Sequence, residues 1–454
     1  MQVGTAQDVT TNGTGLRALL TLAAPVVASR LGIMAMGLVD TIIVGQHSAA
    51  ELGFHALGWA VTGVVLTTAL GLLSGVQVLT SQAIGEGRAA DTGAILRRGL
   101  AYAAWVSALC ALFLAVAGGP MLEAFDMAPG LAQGATLVLQ VQAVSLVPIL
   151  IADAGMFWLE AHGRAIPGMV AMWSANIVNL IVNLWLVPGG NLLGVEGAVA
   201  SAWATFASRL FLLVFIAAVI VRWHRARELG VFSRAPDDPA AVRNMRKVGY
   251  GAATSYFIES LAFSAMAIFA GWISAAAVAV WAVVINVAAL VFMVPLGLSV
   301  ATSVLVGRAY GARDRSAMLA SAAQGSAVTT AVLLAVSAGV WLFPQAIAAA
   351  YTREAAVLAG IASAMILSSW FFVADGLQVV AAMALRARTD VFAPAAIHVV
   401  SYVVVMMPLA WWLGIKSGGG VDGLIWAIIV ASALSAVLLW GRFLWLAREQ
   451  FAPA

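Results

Sequence analysis

Four carboxylates stand where water has little reason to be: Asp40, Asp153, Glu259 and Asp375 each fall inside a long apolar run. A charge at the centre of a membrane span costs about 2.5–3.5 kcal/mol on insertion scales, so such residues usually face an interior path used by an ion or a substrate. Asp40 lies near the outer end of its run, in Gly37-Leu38-Val39-Asp40-Thr41. A later run carries Asn176, Asn179 and Asn183. Asn179 and Asn183 are four apart, share one helix face and fall at nearly the depth of Asp40, so the three form a polar pocket. Glu259 and Asp375 fall near mid-membrane on oppositely running helices and give a second acidic site. Asp153 is closer to the cytoplasmic end, where a bond to a neighbouring helix is its expected role. Arg30 and Arg209 are the bases at this depth; pairing with an acid and reaching for the interface both stay open. Glu160 is placed near the cytoplasmic end of its run. Glu86, Asp91, Glu123, Asp126, Glu196 and Asp422 are expected at solvated boundaries.

The elements that position these residues follow from composition. Of 454 residues, 63% are hydrophobic and 9% charged, against about 25% charged in a soluble domain. Lipid is the natural solvent. Crossing a bilayer takes about 20 apolar residues per helix, and the sequence predicts twelve spans, at 16–45, 56–84, 95–118, 131–160, 166–188, 195–221, 247–272, 277–307, 317–343, 356–385, 393–414 and 421–445. Lys and Arg set the orientation. With a cytoplasmic N-terminus, 19 of the 23 basic residues lie inside, including Arg386 and Arg388 in a loop after span ten. Only Arg353 and Lys416 fall in outer loops. Both termini are therefore expected in the cytoplasm.

A shift of 226 residues superposes the halves without a gap: Gly71-Leu72 meets Gly297-Leu298, Ala83-Ile84-Gly85 meets Ala309-Tyr310-Gly311, and Val195-Glu196-Gly197 meets Val421-Asp422-Gly423. An even number of spans per unit gives both copies the same orientation, a parallel repeat of the kind transporters use. The expected fold is all-α and integral to the membrane, with twelve helices in two six-helix lobes. Its divisions are a disordered cytoplasmic tail at 1–15, an N-terminal lobe at 16–221, a cytoplasmic linker at 222–246, a C-terminal lobe at 247–445 and a tail at 446–454. A monomer in contact with membrane lipids is expected.

Several functions are disfavoured. The basic residues report topology and are not interleaved with aromatics, so no nucleic-acid partner is expected. Cys110 is the single cysteine, which leaves no intrachain disulfide and no cysteine metal cluster. The first residues lack a basic region and a cleavage site, so no cleavable leader is expected. The five histidines, His47, His55, His162, His224 and His398, read as scattered near loops and ends, and no enzyme is expected. Neither Lys247 nor Lys416 has the spacing of a phosphate-binding loop, so energy must come from an ion gradient or a partner.

The same segments resemble a known family. Pro25 to Gly45, through Gly37-Leu38-Val39-Asp40-Thr41, is similar to the first span of NorM-type members of the multidrug and toxic compound extrusion family. Ala83-Ile84-Gly85-Glu86-Gly87, Pro295 to Gly311 and Asp375-Gly376-Leu377-Gln378 resemble its spans two, eight and ten. The likeness implies a secondary multidrug exporter of the bacterial inner membrane that exchanges amphipathic cations for protons or sodium ions, with no cofactor. It further implies that Asp40, Asn179 and Asn183 form the N-lobe pocket coupling protonation to drug release. Glu259 and Asp375 would be the C-lobe acids, where Na+ can bind. Asn183 replaces the aspartate of some relatives, and Leu385-Arg386-Ala387 departs from the usual Leu-Arg-Gly at a loop. The alternative is a lipid-linked oligosaccharide flippase of related architecture, which calls for a more basic cavity.

Overall fold

In hydrocarbon, backbone amides must find their partners within their own segment, which makes helices the available solution for so apolar a chain. A computed structural model describes residues 15–124, 130–233, 238–352 and 354–449. The expected tail at 1–14, residues 450–454 of the other tail, Asp126, Arg234 and Arg353 lie outside the described residues. Among the described residues there is no strand, and twelve helical spans are long and apolar enough to cross a membrane. Spans one and two are α1 (Leu16–His47) and the pair α2 (Ala49–Leu73) and α3 (Gly75–Gly85); spans three to six are α4 (Thr92–Glu123), α5 (Leu131–Ala161), α6 (Ile166–Leu186) and α7 (Gly197–Arg222). Spans seven to nine are α8 (Pro239–Ile273), α9 (Ala275–Gly311) and α10 (Arg315–Leu342), followed by the short α11 (Pro344–Tyr351) and span ten, α12 (Ala355–Arg386). Span eleven is composite, with α13 (Phe392–His398) and α14 (Met407–Ala410) separated by π-helical winding over Val399–Met406. Span twelve is α15 (Gly420–Glu449).

Two starts lie outside the apolar runs that predicted them. Span two begins at Ala49, seven residues early, because the Ser48 hydroxyl accepts from Glu51 N at 3.5 Å and caps the helix. Span seven begins at Pro239, so the expected linker at 222–246 is corrected to the shorter connection after Arg222. Asp238 Oδ1 accepts from Ala241 N at 3.0 Å, and proline suits the first helical position because its missing N–H has no intrahelical role there. That connection is also tied down. Gly93 N donates to Leu229 O at 2.7 Å, and Arg97 Nη1 donates to Val231 O at 2.7 Å and to Gly230 O. Residues 223–233 thus form a strap bonded to the start of α4.

The chain divides into two compact units, Ala28–Ala253 and Thr254–Ala454 with the residues up to Val27. The boundaries fall inside α1 and α8. In one unit α5 packs against α2, α4 and α7; in the other α12 packs against α9, α10 and α15. These central helices are spans four and ten, equivalent under the repeat. Equivalence extends to backbone contacts. A Cβ on Gly71 would lie 2.6 Å from Ala253 Cα, and one on Gly297 would lie 2.7 Å from Val27 Cα, so only glycine permits either approach. Outward faces suit lipid: Trp105, Leu109, Leu112 and Val116, spaced along one side of α4, are each more than half exposed.

Candidate functional site

Each unit holds one acidic site assembled from helices that the sequence separates widely. In the first, α1 brings Asp40 to α6 and α7. Asn183 Nδ2 donates to Asp40 Oδ1 at 2.7 Å, and Thr205 Oγ1 donates to Asp40 Oδ2 at 2.8 Å. Asn183 Nδ2 also donates to Asn179 O at 3.0 Å, and the Asn179 amide faces the same carboxylate. Asp40 is 4% exposed, and Asn179 and Asn183 are fully buried. Among the described residues, both side-chain polar atoms of Asn179 and the Oδ1 of Asn183 lack a hydrogen-bond partner, a costly arrangement in a dry interior. The structure therefore brings together the three residues that the sequence grouped.

Thr205 and His55 complete this pocket, and sequence reasoning missed both. His55, near the start of α2 as expected, is nonetheless 5% exposed and lies in the field of Asp40. Thr205 had a readable signal: Ser201, Thr205, Ser208 and Arg209 mark one face of an otherwise apolar α7. Asn176 does something else. Its Nδ2 donates to Gly32 O at 3.0 Å and Met172 O at 2.9 Å, joining α6 to α1.

A separate group of charges lies deeper in the same unit. Arg30 Nη2 pairs with Glu160 Oε1 at 3.5 Å, and Gln77 Nε2 donates to Glu160 Oε2 at 2.8 Å. Arg209 Nη1 donates to Ser145 Oγ at 2.6 Å, and Asp153 lies in the field of both arginines. Arg30 is thus an ion-pair partner, and Glu160, 5% exposed, is structural. Glu86, Asp91, Glu123, Glu196 and Asp422 are exposed, as expected.

In the second unit, Gln378 joins the two predicted acids. It stands one turn after Asp375 on α12, and its Nε2 donates to Glu259 Oε1 on α8 at 2.9 Å and to Asp375 Oδ1 at 3.3 Å. The opposite amide orientation would set its oxygen against two carboxylates. Its Oε1 instead accepts from His398 Nε2 at 3.1 Å, so that nitrogen must carry the hydrogen. His398 stands near the start of its span, as expected for a histidine near loops and ends, but it is 1% exposed and faces inward. It ends α13 where the π winding begins, and Tyr402 within that winding faces both acids. Wide turns of this kind are frequent at functional sites.

Arg386 was expected in a loop, and the structure corrects this. It is 2% exposed, stacks at 4.4 Å over the Tyr256 ring and lies in the field of Glu259. Arg388, expected beside it in that loop, is 3% exposed. Among the described residues no group of three or more His, Cys, Asp or Glu side chains gathers as metal ligands. A cation at this site would meet two carboxylates, oxygen donors suited to a hard ion. Neither Glu259 nor Asp375 receives a second donor among the described residues, so each keeps an oxygen for such a ligand.

Residues 25–185 and 252–412 each match the sequence model of the MatE family, two segments that begin 227 residues apart. The chain is 49% identical over 434 residues to a probable multidrug resistance protein NorM of Caulobacter vibrioides, covering 95% of this chain and 91% of the relative. It is 29% identical over 435 residues to multidrug resistance protein PmpM of Pseudomonas aeruginosa, covering 93% and 90%. The fold matches a MOP superfamily transporter from Pyrococcus furiosus with a TM-score of 0.88 at 19% identity, over 97% of this chain and 98% of the other.

Proposed function

This chain belongs to the MatE family and is a multi-pass membrane protein, and we propose on that premise that it is a secondary-active multidrug exporter, exchanging amphipathic cations for protons or sodium ions. One observation supports the coupling: among the described residues, each unit holds a buried carboxylate with hydrogen-bond donors but no ion pair. Asp40 has Asn183 and Thr205, and Asp375 has Gln378. Glu160, by contrast, has Arg30. Where no fixed base neutralises a buried acid, an exchangeable cation can.

In the proposed cycle, ionised carboxylates attract the cationic compound from the cytoplasmic side. A proton entering from outside then takes its place at Asp40, or a proton or Na+ does so at Glu259 and Asp375. Loss of attraction releases the compound outward. Asn183 and Thr205 hold the Asp40 oxygens in place through the change. Gln378, anchored by His398, holds the two C-lobe acids at a common distance while their charge is compensated. The distribution of Lys and Arg supports both termini in the cytoplasm, and the bacterial relatives support an inner-membrane location.

Dye export from proteoliposomes with an imposed pH or Na+ gradient tests this reading. Wild-type protein should export under at least one gradient, and Asp40→Asn and Asp375→Asn should each lose export. Full-rate export by both variants sinks the site assignment.

A further inference from the structure

A groove at the ends of α5 and α7 takes no part in either acidic site. Its volume is about 390 Å3, and its lining includes Arg164, Arg222, Trp223 and His224, with Phe215 and Val219 along the wall. Phe215, Val219 and Arg222 follow one another at helical spacing on α7, so an apolar stripe runs into a basic end. Among the described residues no carboxylate lines the groove, so a cationic cargo finds no counter-charge in that lining.

The basic end is built in advance of any ligand. The Arg164 guanidinium sits 4.5 Å from the centre of the Trp223 ring. Trp223 is held edge-on by Trp158 at 5.5 Å and His162 at 5.4 Å, and Trp158 Nε1 donates to Thr92 O at 3.0 Å. Stacking engages the face of a guanidinium and leaves the N–H groups on its edge available. Arg164 Nη1 is buried and has no hydrogen-bond partner among the described residues. Neither Arg164 nor Arg222 is ion-paired among the described residues. An oriented, unused planar fork beside a second arginine is the donor arrangement that a phosphate oxygen pair accepts.

We propose that this groove binds a phospholipid with an anionic headgroup. The phosphate lies between Arg164 and Arg222, and an acyl chain lies along Phe215 and Val219. Both arginines follow even-numbered spans, which the charge rule places on the cytoplasmic side. Anionic lipids attract basic residues there, and basic pockets between membrane helices on that side take acidic headgroups. A free phosphate ion would satisfy the arginines and leave the apolar wall unused.

Delipidated full-length protein in detergent is titrated with phosphatidylglycerol, phosphatidylcholine or inorganic phosphate, and bound lipid is counted by native mass spectrometry. Phosphatidylglycerol should bind wild type in preference to phosphatidylcholine. Its affinity should fall about fivefold in Arg222→Gln and about twenty-fivefold in the Arg164→Gln, Arg222→Gln double variant. Arg222 is exposed, so the single variant keeps the fold and reads binding alone. Equal binding of the two lipids overturns the proposal, as does unchanged affinity in Arg222→Gln. Complete displacement of phosphatidylglycerol by millimolar inorganic phosphate also overturns it, by making the groove a site for free anions.

Discussion

Asp40 has a donor on each carboxylate oxygen, one from α6 and one from α7, whereas Glu259 and Asp375 share the two hydrogens of one amide. The first arrangement holds a single acid with a donor on both oxygens, which suits exchange of something as small as a proton. The second leaves an oxygen on each of two acids and suits a larger cation between them. The backbone repeats, yet the chemistry does not. At the 226-residue shift Asp40 corresponds to Met266, Asp375 to Ile149 and Asn183 to Leu409. Duplication supplied two equivalent scaffolds, and their polar residues were placed independently.

The largest expected effects come from removing the acids. Asp40→Asn should lower export about ten- to hundredfold under a pH gradient, since hydrogen bonds to a charged group contribute about 1.5–3 kcal/mol each. Asp375→Asn should act most strongly under a Na+ gradient. Equal losses for both variants under both gradients would erase the functional contrast. A second comparison concerns packing. Gly71→Val and Gly297→Val, scored by thermal unfolding in detergent, should each cost about 1–3 kcal/mol through overpacking. The two costs should agree, because Ala253 and Val27 are equivalent neighbours; a large disparity breaks the symmetry.

Gln378→Leu should have a smaller effect, sharpening the comparison by removing only the shared donor. Cation dependence of export should shift, with thermal stability changed by about 1 kcal/mol. Thr205→Val, which removes one donor from Asp40, should leave Na+ dependence alone. The smallest effect is expected at a matching loop. Asp314 and Arg88 occupy equivalent positions, one as a helix cap and the other ion-paired with Glu86 and Asp91. The backbone amide of Ala317 and the Ser316 hydroxyl hold the Asp314 carboxyl below its ordinary value of 3.8. Its contribution is therefore fully present above that pH and lost as pH falls through the lower folded value. Asp314→Ala should cost at most about 1 kcal/mol at neutral pH, and unfolding curves should converge with wild type in strong acid.

The twelve spans were legible because hydropathy runs are long and the membrane fixes their length. Caps were read less well: Ser48 and Asp238 begin helices ahead of the apolar runs. Asp40, Asn179 and Asn183 were found by matching depth, which needs only residue counting. Thr205 was within reach of the polar face of α7 and was overlooked, but His398 and Arg386 were not legible, because which side chains meet across helices depends on rotation about each axis. In nearly all-apolar helices the sequence leaves that rotation poorly marked. The π winding of span eleven, which sets Tyr402 beside the acids, left no signal that periodicity could catch.

The strap at 223–233 bears on how the protein can be cut and rejoined. Since Leu229, Gly230 and Val231 supply carbonyls to Gly93 and Arg97, this stretch is a finished part of the first half. A split-protein pair should accordingly break after Ser233. A fragment ended at Arg222 would expose the first turn of α4 and strip its arginine of the acceptors it was folded around.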